Sequence, residues 1–163
     1  MTCQRAQSLF CLVLVAALAW ADNKPAKFTA PAIQIEPVEA GNSDIPAEFR
    51  YAIYERLIER VRRDGEFAKV FRSGDRDAAG VAGLVVLRAT VSRFKEGSET
   101  KRKLTTVAGS TAVDVAATVS KSDGSVVWNN IVSGKVRYFG ENLGVANDVA
   151  KRIAKLLRES TQP

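Results

Sequence analysis

The 163-residue chain contains no histidine, and both of its cysteines, Cys3 and Cys11, fall within the first twenty-one residues. Without imidazole, the common nucleophilic triads have no general base. Without thiols in the body of the chain, no disulfide framework is expected. Zinc and copper sites lose both of their usual donors, so no metal and no cofactor are expected. The apolar runs are also short. The longest, Leu9 to Ala19, covers 11 residues, whereas a spanning helix needs about 20.

That run sits between Arg5 and the small-x-small ending Ala19-Trp20-Ala21. The order is that of the n-region, h-region and cleavage site of a secretory signal peptide, so residues 1–21 are expected to be removed after Ala21. Lipidation is not expected, because Cys11 lies inside the apolar run and follows the bulky Phe10. The mature chain would begin at Asp22 in the periplasm or outside the cell, with no stable transmembrane segment. Residues 22–30 are polar and Pro-containing and read as a flexible lead-in. Residues 31–160 read as one domain, since a chain of this size supports a single core.

What remains is a basic chain. Loss of Arg5 leaves 23 Lys and Arg against 18 Asp and Glu, a balance of +5. Such a surface favours anionic partners, either an envelope protein or a surface polymer. Nucleic acid is disfavoured, because the basic residues are scattered and lack interleaved stacking aromatics.

Periodicity sets the architecture. Residues 32–38 alternate and read as a first strand, which Pro37 either restricts to a sheet edge or ends. Ser43 or Asp44 is a candidate helix cap ahead of Pro46. Phe49, Ile53, Leu57 and Val61 then recur every four residues, with Ala52 and Ile58 widening the stripe, as on an amphipathic helix that Asp64-Gly65 ends. A short strand is expected over 66–72. Val85, Leu87, Ala89 and Val91 line one face of a strand over 84–94, with Arg88, Thr90 and Ser92 on the other.

A further strand covers about 104–121, with Val113, Val115, Ala117 and Val119 inward and a bend near Gly109-Ser110. Asp123-Gly124 marks a hairpin into a strand over 126–139. Ala146, Val149, Ala150, Ile153, Leu156 and Leu157 form the stripe of a closing helix. The expected fold is α+β, in the order β-α-β-β-β-β-α. Its sheet is mostly antiparallel, with both amphipathic helices packed on one face.

The remaining chemistry is sparse. Ser120 and Lys121 are adjacent on a strand and point to opposite faces, while Ser133 and Lys135 share a face without any catalytic motif around them. Asp75-Arg76-Asp77 lacks the further ligands of a calcium loop and reads as a turn. No catalytic residues are assigned. Candidate partner contacts are the basic connection Lys95, Lys101, Arg102 and Lys103, together with Arg88 and Asp114 on the uncovered sheet face. The plain structural reading of the last two is a cross-strand ion pair.

From Leu84 onward, the strand Leu84 to Phe94, the Lys95-Glu96-Gly97-Ser98 segment, Lys101-Arg102, the small residues around Gly109, Asp123-Gly124 and the final helix appear in order. This arrangement resembles the exported bacterial family known as domain of unknown function 4410. The resemblance covers about half the chain and implies an envelope location and an α/β fold. It carries over no functional residues. The function expected is that of an exported, non-enzymatic interaction module. The alternative is a small-ligand carrier or a carboxylate-based enzyme that uses the open sheet face.

Overall fold

The computed structural model describes residues 27–98, 110–136 and 143–162. The expected leader and cleavage site, Lys101, Arg102, Lys103 and the bend at Gly109 lie outside these. The elements are β1 (Ala32–Ile35), α1 (Ala47–Asp64), β2 (Lys69–Arg72), β3 (Leu84–Lys95), β4 (Thr111–Lys121), β5 (Val126–Val136) and α2 (Gly144–Ser160). The order and class are those expected from periodicity.

The five strands form one mixed sheet in the order β2-β1-β3-β4-β5. β1 pairs in parallel with both β2 and β3, while β3-β4 and β4-β5 are antiparallel. Pro37 therefore ends pairing and does not mark an edge, because β1 is an interior strand. Beyond it the chain still follows β3 through Glu39, whose N–H donates to Ala89 and whose carbonyl accepts from Val91. Gly41 makes the exit possible: its φ is +56°, and a Cβ there would stand 2.6 Å from the Val91 carbonyl oxygen.

Both helices cover one face. α1 buries Phe49, Ile53, Tyr54, Leu57, Ile58 and Val61, and Gly65 closes it in the left-handed conformation. Neither Ser43 nor Asp44 caps it. Pro46 occupies the cap position without a side-chain bond, and the Ser43 hydroxyl instead donates to the Ala40 carbonyl. α2 buries Val145, Ala146, Val149, Ala150, Ile153, Ala154 and Leu157, leaving Leu156 half-buried at the margin.

These side chains meet Val85, Leu87, Ala89 and Val91 of β3 and Val113, Val115, Ala117 and Val119 of β4, all buried. Gly134 lets α2 approach β5 closely, since a Cβ there would fall 2.3 Å from a Val149 methyl carbon. Where the expected lead-in is described, over 27–30, it is held in the fold. Phe28 and Ala30 are buried, and Phe28 exchanges backbone hydrogen bonds with Ser160 and Gln162.

Candidate functional site

The face of β3, β4 and β5 turned away from the helices is the surface that the fold leaves open. One end of the opposite, strand-order-first half of this face is covered: the 73–83 connection folds over it, and Ala32, Phe71 and Ala78 form a small second core with Val81 and Leu84. Within that connection Asp75 accepts from the Asp77 amide at 3.1 Å and caps a single 3₁₀ turn, which accounts for this acidic pair. Among the described residues no group of three metal-ligating side chains converges.

Across the uncovered part, β3 contributes Arg88, Thr90, Ser92 and Arg93. β4 contributes Asp114, Ala116 and Thr118, and β5 contributes Asn129, Ile131, Ser133 and Lys135. Alternation puts them there, because the intervening residues point to the core face, among them the buried Leu87, Ala89 and Val91 of β3, Val115 and Ala117 of β4, and Trp128, Val132 and Gly134 of β5. The small residues keep this surface low. An open depression on it is lined by Ala116, Thr118, Asn129 and Ile131.

The expected Arg88–Asp114 ion pair does not form. Arg88 lies opposite Thr118 and donates to the Ser120 hydroxyl at 3.3 Å. Asp114 is paired with Arg93, whose Nε donates at 2.6 Å. The strand register sets Arg88 four positions from Asp114, and a register shift between Val91 and Arg93, where Ser92 is the extra residue, then gives Asp114 Arg93 as its partner in place of Ser92. The bulge turns both Ser92 and Arg93 outward and sets Arg93 across from Asp114. Arg88 and Asp114 are four positions apart along the ladder, about 13 Å at the rise of a strand.

Asp114 is the most constrained charge on this face. Its carboxyl is held below the ordinary aspartate range, first by a hydrogen bond from the Ser133 hydroxyl and then by Arg93. Its side chain is 17% exposed, against 72% for Arg93. Three strands thus meet at one anion: β3 through Arg93, β4 through Asp114 itself, β5 through Ser133. Lys95 stands exposed at the end of β3, opposite Ala112. The structure therefore brings Asp114 together with Arg93 and Ser133, sets Arg88 against Ser120 and Lys95 at the strand end, both away from Asp114, and leaves Lys101, Arg102 and Lys103 outside the described residues.

Two edge devices complete the picture. The Arg62 guanidinium of α1 donates to the Val70 carbonyl of β2 at 3.1 Å, and the Lys135 amide of β5 donates to Asp148 of α2 at 3.1 Å. No sequence motif marks either contact. For Ile131 a signal does exist: it is an apolar residue on the polar phase of its strand.

No helix among the described residues is long and apolar enough to cross a membrane. No family model matches the chain, and no curated protein matches it. Among solved structures, the chain is similar to the PelC dodecamer from Paraburkholderia phytofirmans. That match has 15% identity and a TM-score of 0.62, over 86% of this chain and 95% of that one. A leucine-to-methionine variant of the same PelC dodecamer gives 17% identity and a TM-score of 0.59, over 85% and 93%. At these identities what is shared is the fold.

Proposed function

We propose that the chain is an exported, non-enzymatic interaction module of the bacterial envelope, which contacts a partner protein or an anionic surface component through the open face of β3, β4 and β5. The observation that carries this reading is the build of that face. It is broad and low, it mixes Arg88, Arg93 and Lys135 with the exposed Ile131, and its one constrained carboxylate is already engaged by Arg93 and Ser133. A substrate pocket needs polar groups converging in a concavity; this surface spreads them along a sheet, as contact surfaces do. The PelC that shares the fold is a dodecamer, so in that protein the fold meets further copies of itself.

Export rests on the leader and on the resemblance to the family described above. Its check is an N-terminus at Asp22 in protein recovered from the envelope fraction. The contact face is tested by capturing partners from that fraction with the native chain, with an Arg88→Ser/Arg93→Ser/Ile131→Ser variant, and with a Lys101→Ala/Arg102→Ala/Lys103→Ala variant. Loss of capture by the first variant supports the sheet face, and loss by the second adds the basic connection. Undiminished capture by both removes this reading.

A further inference from the structure

The two edges of the sheet are guarded unequally. β2 is 4 residues long, and Arg62 occupies its outward Val70 carbonyl. β5 is 11 residues long, and an edge strand of that length is a ready template for another strand. Backbone groups of an antiparallel edge strand point outward at alternate residues. The Lys135 amide, turned out toward Asp148, fixes which ones: Asn129, Ile131, Ser133 and Lys135.

Pairing along this edge has two natural stops. One is Lys135, whose amide Asp148 already holds. The other is the bulge at Val127, the residue skipped between the Val119–Trp128 and Ser120–Val126 pairs. Each lies four residues from Ile131. The usable stretch is therefore symmetric about Ile131, the most exposed of the large apolar residues described, at 70%. A strand run antiparallel to itself about this residue sets Ile131 against Ile131 and Asn129 against Ser133. It also sets the stopped Lys135 of one copy against the bulge of the other.

Charge does not oppose this approach, although the whole chain carries +6. The groove between β5 and α2 holds Arg152 paired with Asp148 at 3.1 Å and Lys155 paired with Glu159 at 3.7 Å, beside the half-buried Leu156. A second copy thus meets a balanced surface with an apolar centre.

We propose that β5 is a homodimerisation edge, on which two copies pair their β5 strands antiparallel about a two-fold axis at Ile131 and join their sheets into one. The interface is isologous, so it closes after two copies and does not run on into a fibre. It shares Ile131 with the open-face reading but not Arg88 and Arg93, and because the mass is measured on the isolated protein without a partner, its failure is read separately from a failure of partner capture.

The test uses the exported protein with Cys3→Ser and Cys11→Ser, which leaves no thiol whether or not the leader is cleaved. Sedimentation across a concentration series is expected to pass from one-copy to two-copy mass. Ile131→Lys places two like charges on the axis and is expected to weaken association at least about tenfold with an unchanged circular-dichroism spectrum. Ile131→Cys in the same background is expected to give a covalent dimer on mild oxidation, because hydrogen-bonded partners sit about 5.5 Å apart at Cα, within disulfide reach. Thr90→Cys, on the same face but away from the edge, is expected to stay single. A one-copy mass at every concentration, an assembly that Ile131→Lys leaves intact, or equal cross-linking of both cysteine variants overturns the proposal.

Discussion

The two faces of β4 are made of almost the same residue sizes and do opposite work. Val113, Val115, Ala117 and Val119 are buried under α1 and α2, while Ala112, Asp114, Ala116 and Thr118 alternate with them on the open side. Burial on the first face is decided by hydrophobicity and by volume, because helix side chains interlock with it. On the second face no described residue packs over these side chains, so polarity and register decide what each one does. One strand thus carries a buried face and an open face, 180° apart.

The sharpest way to break this comparison is to truncate neighbours on opposite faces. Leu87 is fully buried on the helix side of β3, and Arg88, next to it, lies exposed on the other. Leu87→Ala is expected to cost about 2–5 kcal/mol in urea denaturation, and Arg88→Ala about 0.5 kcal/mol or less. Equal costs would mean that the open face is packed against something in the folded protein.

Gly134 offers a gentler test of the covered face. Gly134→Ala places its methyl carbon against Val149 on α2, and a β-branched side chain there has little freedom to move aside. Overpacking of this kind costs about 1–3 kcal/mol. A further Val149→Ala change opens the space and is expected to recover part of the loss, a coupling that a double-mutant cycle reads directly. Purely additive costs would place the clash elsewhere.

How much of this was legible in the sequence follows the same division. The helix-covered face could be read because it is written twice, once in the strand alternation and once in the four-residue repeats of Phe49 to Val61 and Ala146 to Leu157. The element order followed from those periods. The open face could be read only as a list. Its pairings depend on register, and the bulge at Ser92 has no marker: Val91-Ser92-Arg93 reads as ordinary strand. That single extra residue sets Arg93 across from Asp114 in place of Ser92, while the register ahead of it puts Arg88 opposite Thr118 and within reach of Ser120. The interior place of β1 was equally hidden, since parallel pairing with β2 and β3 is set by chain segments more than thirty residues away. The two helix-borne edge guards, Arg62 and Asp148, are long-range contacts of the same kind.

On the open face the expected effects shrink and become dependent on pH. Asp114 has its carboxyl pKa lowered by Ser133 and Arg93. A group depressed in the folded state adds stability above its unfolded pKa, near 3.8, and loses it as pH falls through the folded value. Asp114→Asn is therefore expected to lower stability at neutral pH and to flatten the acid limb of the stability–pH curve. Arg93 is largely exposed, so solvent screening limits the loss to about 1 kcal/mol or less. An acid limb as steep as that of the native chain would show that Asp114 is not held in this way.

The smallest expected effect lies at the rim of the covered face, where α1 meets β2. Arg72 forms a two-pronged pair with Glu55 at 2.5 and 2.7 Å and lies over the Tyr54 ring at 5.7 Å. The geometry is good, yet both partners are more than a third exposed, so the pair is worth only tenths of a kcal/mol. The Glu55 carboxyl is lowered chiefly by its hydrogen bond from Arg72, and its contribution fades as pH falls below the ordinary glutamate range, as for Asp114. Glu55→Gln is expected to reduce stability at neutral pH by about 0.5 kcal/mol and to add to Asp114→Asn without coupling, since the two sites share no partner. Salt separates them further: raising ionic strength is expected to diminish the Glu55→Gln effect more than the Asp114→Asn effect, because Asp114 is shielded by three strands and holds a neutral hydroxyl donor that salt does not screen. Equal salt sensitivity would place Asp114 in the same solvated class as Glu55, and the open face would then hold no constrained charge at all.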